Sequence, residues 1–84
     1  MKIFLGEVNM KRLRLIEETG IDRYQWIEML RTWISSERDR EIFERRYLDS
    51  VPVEQVAVEF GLSERRIRQI SKEMLIELKK HIAF

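Results

Sequence analysis

The chain contains no cysteine, one proline, one histidine and three glycines among its 84 residues. Without cysteine there are no disulfides, no thiolate chemistry and no cysteine zinc site, a composition compatible with a reducing cytoplasm. So little proline and glycine leaves no room for long loops or a many-turned β architecture. A lone histidine and the lack of a glycine-rich phosphate loop leave enzyme chemistry little to stand on, and the carboxylates are scattered rather than gathered. Neither a metal site nor a cofactor is expected, and His81 reads as a solvated side chain well placed against a helix dipole. No apolar run approaches the roughly 18 residues of a membrane span, and the opening "MKIFLGEV" is too short for a secretion signal. These absences predict a soluble, cytoplasmic, non-enzymatic protein with no membrane association.

What is present suits one small helical domain. A chain of 84 residues cannot build two cores, but 44% hydrophobic residues with two Trp, two Tyr and four Phe can fill one. The formal net charge is only +1, yet it is unevenly spread. Residues 63–81 carry Arg65, Arg66, Arg68, Lys72, Lys79 and Lys80 against Glu64, Glu73 and Glu77, whereas residues 1–62 are acidic on balance. That asymmetry points the C-terminal third toward a polyanion.

Start and stop signals divide the chain into helices. A first segment, about Glu7 to Thr19, ends at Gly20, with residues 1–6 extended or disordered. Asp22 with Gln25 forms a capping-box pattern ahead of Trp26, Ile27, Leu30, Trp33 and Ile34, which recur at spacings of three and four and predict both tryptophans packed in the core or against a partner subunit. Ser36 with Asp39 caps the next helix, running to about Leu48 with Ile42, Phe43, Tyr47 and Leu48 on its apolar side; its alternating charges "ERDRE" and "ERR" read as a solvated face with weak ion pairs. Asp49 and Ser50 turn the chain, and Pro52 suits the start of a short helix from Val53 to Phe60. Gly61 stops it, Ser63 caps the last helix, and Ile67, Ile70, Met74, Leu75, Leu78 and Ile82 give that helix one apolar stripe.

The piece from Val53 to Lys72 has the layout of a helix-turn-helix. Ala57 is small where two helices must cross closely, with Val56 and Phe60 pointing inward beside it. Gly61 can take the positive φ of a sharp turn, Leu62 plugs that turn, and Ile67 and Ile70 anchor the second helix. Ser63, Glu64, Arg65, Arg66, Arg68, Gln69 and Lys72 are left pointing outward. In this motif the N-terminal residues of the second helix enter the major groove of double-stranded DNA, where Arg matches guanine edges and Gln adenine edges. The prediction is therefore an all-α, small helical bundle with a helix-turn-helix: one domain over 1–84, N-terminal helices of unassigned role over 1–34, and the helix-turn-helix portion over 36–82.

The stretch "REIFERRYLDSVPVEQVAVEFGLSERRIRQISKEMLIELKK", from Arg40 to Lys80, resembles the fourth conserved region of bacterial sigma factors, most specifically in "RIRQI" and the "KEML..L" after it. The resemblance implies a domain that reads the upstream promoter element, with Arg68 and Gln69 on DNA and Arg66 on the same surface. One departure precedes them: where the family carries Arg then Glu, this chain carries Glu64 then Arg65. At 84 residues the chain is expected to lack the sigma region that melts DNA and binds the polymerase clamp. The resemblance thus implies a small freestanding regulator of the kind found in phages and mobile elements, acting with RNA polymerase or a sigma-type partner, with a homodimer also open. The rival reading from another class is a helix-turn-helix used for protein assembly: an anti-sigma or polymerase-binding factor, or a small phage packaging subunit.

Overall fold

The computed structural model describes residues 15, 16 and 19–82. Four helices lie wholly among them, with no strand: α1 (Arg23–Trp33), α2 (Glu37–Phe43), which runs on as a π-helical stretch (Glu44–Leu48), α3 (Val53–Phe60) and α4 (Glu64–Lys79). The all-α expectation holds. Of the anticipated Glu7–Thr19 helix, the described Leu15, Ile16 and Thr19 are helical, and the remainder lies outside the described residues, as do residues 1–6. Gly20 ends that helix at φ +70°, its N–H donating to the Ile16 carbonyl at 2.9 Å.

Each of three helices starts where a short polar side chain can replace the bonds that a helix end lacks. Asp22 accepts from the Gln25 N–H at 2.9 Å while the Gln25 side chain accepts from the Asp22 N–H at 3.0 Å, a complete capping box. Ser36 accepts from the Asp39 N–H at 3.2 Å, and Ser63 from the Arg66 N–H at 3.1 Å. α3 starts differently: Pro52, at φ −61° and ψ 149°, has no N–H to satisfy and leads directly into the first turn.

The apolar side expected of the helix after Ser36, namely Ile42, Phe43, Tyr47 and Leu48, is buried or partly buried, but the second half of that helix is π-helical. There the Asp49 N–H reaches back five residues to the Glu44 carbonyl at 2.8 Å, widening the turn. Widening brings residues five apart toward one face, so Phe43 and Leu48 are both buried although an α-helix would set them far apart around its axis.

α4 is the element against which α1, α2 and α3 all pack. Its Ile67, Ile70, Met74 and Leu78 are buried, together with Trp26 and Leu30 of α1, Ile42 and Phe43 of α2, and Val53, Val56 and Ala57 of α3. Trp26 meets Phe43 with ring centroids 5.7 Å apart, and Phe43 meets Tyr47 at 4.7 Å; both pairs are tilted, which suits the ring quadrupoles. The two tryptophans have different fates. Trp26 is a core residue, but Trp33 is 47% exposed, because α1 ends there and its rim faces water. His81 covers it: the two rings stack with centroids 3.6 Å apart and planes 3° from parallel. His81 is accordingly not a simply solvated side chain, since only 27% of it is exposed and its Nε2 lies 3.3 Å from the Glu77 carboxylate.

Between α3 and α4 the chain reverses in three residues. Gly61 adopts φ +67° and ψ 32°, a left-handed conformation that costs an L-residue about 1–2 kcal/mol. The Leu62 N–H then donates to the Ala57 carbonyl at 3.0 Å and the Gly61 N–H to the Val58 carbonyl at 3.3 Å, closing the helix end in the two-bond pattern that a C-terminal glycine permits. Leu62 and Phe60 pack partly buried against the core, and Ser63 starts α4 at once. Ala57 is buried in α3, which packs against α4, as a small residue at a helix crossing should be. Ala57→Leu is expected to destabilise the fold by roughly 1–3 kcal/mol through overpacking. A lowered midpoint in thermal unfolding would show it, and an unchanged midpoint would contradict this packing.

Candidate DNA interface

The inward stripe of α4 dictates what remains outside. With Ile67, Ile70, Ser71, Met74 and Leu78 buried, the helix turns every other position of its first half to solvent. Ser71 is the one polar member of the stripe, and its hydroxyl donates to the Ile67 carbonyl at 2.7 Å, so it is satisfied within its own helix. Ser63, Glu64, Arg65, Arg66, Arg68, Gln69 and Lys72 are all exposed, along one helix and its cap.

These side chains are only lightly tied. Glu64 and Arg68, one turn apart, approach to 3.5 Å. Arg66 donates to the Gln69 side-chain oxygen at 3.2 Å, and the Gln69 amide donates to Glu73 at 3.4 Å. Arg65 and Lys72 make no hydrogen bond or ion pair among the described residues. Exposed contacts of this length contribute little to stability and yield readily to a competing anion. Three arginines and a lysine against two flanking glutamates therefore make a surface with unspent donors. Glu73 was not among the residues singled out from sequence, although its spacing of four from Gln69 was a legible signal.

A second set of charges holds that surface in place. Arg45 grips Glu59 of α3 in a two-pronged bond, Nε to Oε1 at 2.9 Å and a terminal nitrogen to Oε2 at 2.5 Å. It also reaches Asp49 at 3.3 Å, Asp49 accepts from Arg23 of α1 at 2.6 Å, and Gln55 donates to Glu59 at 3.1 Å. Arg40 donates to the Ile34 carbonyl at 2.7 Å, closing the α1–α2 connection. The "ERDRE" and "ERR" charges are thus not merely a solvated face; Arg40 and Arg45 join separate elements, because the π-helical turn and the loop bring their partners within reach. Planar guanidinium and carboxylate groups match in two bonds, which adds direction to the attraction.

The Arg45 hydrogen bond holds the Glu59 carboxyl below its usual 4.5, partial desolvation opposing and Gln55 assisting; the same bond pushes Arg45 above its own ordinary value. A carboxyl whose folded pKa is depressed contributes stability that is fully present above its unfolded value and lost as pH falls through the folded one. Acid unfolding of Glu59→Gln is therefore expected to show a smaller loss of stability below about pH 4.5 than the unaltered chain does. Denaturation midpoints between pH 3 and 7 check this, and identical pH profiles would mean the pair carries no linkage.

Among the described residues no group of His, Asp and Glu side chains is placed to hold a metal ion, and no helix is long and apolar enough to cross a membrane.

Residues 36–80, more than half of the chain, match the family described as Sigma-70, region 4. The match spans α2, α3 and α4, and with them the helix-turn-helix and its outward face; α1 lies before it. The chain belongs to this family of sigma-like, DNA-binding helix-turn-helix domains, which are regulatory rather than catalytic. No curated protein and no solved structure matches it.

Proposed function

We propose that the chain is a sequence-specific, DNA-binding transcription regulator that acts with RNA polymerase in the manner of a sigma factor's promoter-reading domain. The observation that carries this reading is the two-sided α4: one face is buried as the hub of the core, and the other, together with the Ser63 cap, presents seven polar side chains held by no other element. A helix so exposed at its N-terminal end fits the major groove with its first two turns against base edges. Arg65, Arg68 and Gln69 lie at spacings of three and four and share the reading face. Arg66 and Lys72 flank it as phosphate contacts, the hydroxyl of Ser63 can donate to the backbone, and Glu64 can accept from a cytosine amino group.

The reversed charge order at Glu64 and Arg65 argues for a target other than the family's ordinary minus thirty-five hexamer, because an acidic side chain in the first turn rejects the guanine edge that an arginine selects. Residues 36–82 form the reading portion of a single domain. Within that domain the Arg45–Glu59 bond ties α3 to the π-helical stretch, and α1 packs against α4. Phage or mobile-element promoters are the proposed targets, and the cytoplasm is the proposed place of action.

Selecting bound sequences from a random pool would define the site, and a palindromic result would mark a two-fold dimer. On that site Arg68→Ala and Gln69→Ala are each expected to cost about 1–3 kcal/mol and to flatten the preference at one base position. Lys72→Ala is expected to weaken selected and random DNA alike and to lower the salt dependence by about one counterion. Titrations at two salt concentrations distinguish these. If all three variants lose the same factor on every sequence, α4 grips the backbone only and the proposed base reading fails.

A further inference from the structure

The Gln69 amide meets a partner at each end, and only one orientation satisfies both. Arg66 can only donate, so the Gln69 oxygen must face Arg66, which leaves its nitrogen facing Glu73. Glutamine otherwise presents its amide either way round, and the two orientations read opposite donor and acceptor patterns on a base edge. Glu73 sits one turn below Gln69, at the rim of a cleft of about 260 Å³ whose walls include Trp33, Ile34, Ile70 and Met74. It belongs neither to the buried stripe nor to the set of outward cations.

We infer that Glu73 is a positioning residue for base recognition, orienting the Gln69 amide so that it reads an adenine edge. This rests on the reading of Gln69 as a base contact. The valences allow both contacts together. One Gln69 N–H goes to Glu73 and the other remains for adenine N7, while the oxygen accepts from adenine N6 once the Arg66 guanidinium moves to a phosphate. A carboxylate near DNA otherwise works against binding, since it repels the phosphates and weakens association with every sequence. Glu73 therefore trades general affinity for preference at one base pair.

Two substitutions separate geometry from charge. Glu73→Gln removes the charge but keeps an oxygen that can accept from Gln69; Glu73→Ala removes both. Glu73 is exposed, so neither should disturb folding, and thermal unfolding of both variants verifies that. Affinities would be measured on the selected site, on sites mismatched at each position and on random DNA, with Gln69→Ala defining the position that Gln69 reads. Both variants are expected to bind random DNA more tightly by a similar factor. Glu73→Ala alone is expected to lose about tenfold in discrimination at the Gln69 position, whereas Glu73→Gln retains most of it. The inference is overturned if Glu73→Ala keeps the full preference, or if Glu73→Gln loses as much as Glu73→Ala, since charge alone would then account for the effect. If Gln69→Ala itself leaves every preference intact, the base-reading role of Gln69 falls, and this inference with it.

Discussion

One helix has to satisfy two demands at once. α4 supplies the buried stripe against which α1, α2 and α3 pack, and it also carries the polar side chains of the candidate interface. Both are possible because an α-helix of 3.6 residues per turn separates positions cleanly into faces: Ile67, Ile70, Met74 and Leu78 recur on one side, and Arg65, Arg68, Gln69 and Lys72 are forced to the other. The core thereby sets the rotation of α4 about its axis. A packing change that turned the helix by one position would move a cation into the core and an isoleucine into the outward polar row, so the stability of the bundle and the register of the candidate interface are one constraint.

Charged residues do two kinds of work in this small molecule, and geometry separates them. Arg45 meets Glu59 in two short, parallel bonds and shares Asp49 with Arg23, with the Arg45 and Glu59 side chains only 35% and 30% exposed. Such a pair ties α3 to the π-helical turn. On α4 the contacts are longer, single and solvated, as between Glu64 and Arg68. Rigid bracing behind and loosely tied donors in front is the arrangement that suits a reading surface, because free side chains can exchange weak partners for DNA without disturbing the scaffold.

The far end of α4 is secured by different means. Trp33 closes α1, and the ring of His81 lies flat on it just past the last turn of α4, with Glu77 beside it. The stack shields an aromatic face that the core cannot reach, and it joins the two helices at the point where the buried stripe runs out at Leu78. Leu75 and Ile82 are partly buried at the same end. Trp26 and Trp33 thus serve at opposite depths of one helix, the first as filling and the second as a clasp.

Much of this was determined by the sequence acting locally. Caps at Asp22, Ser36 and Ser63, the left-handed glycines at 20 and 61, and the proline start of α3 all depend on groups within about five residues of one another, so residue type and spacing suffice to specify them. The stripe of α4 and the motif shared with sigma region 4 are legible for the same reason: they are periodic patterns along one helix. Other features required the assembled chain. The exposure of Trp33, its stacking with His81 and the reach of Arg45 to Glu59 each depend on where separate elements lie relative to one another. A side chain's alternation with its neighbours says which way it points from its own helix. Only the packing of helix on helix decides what it meets there.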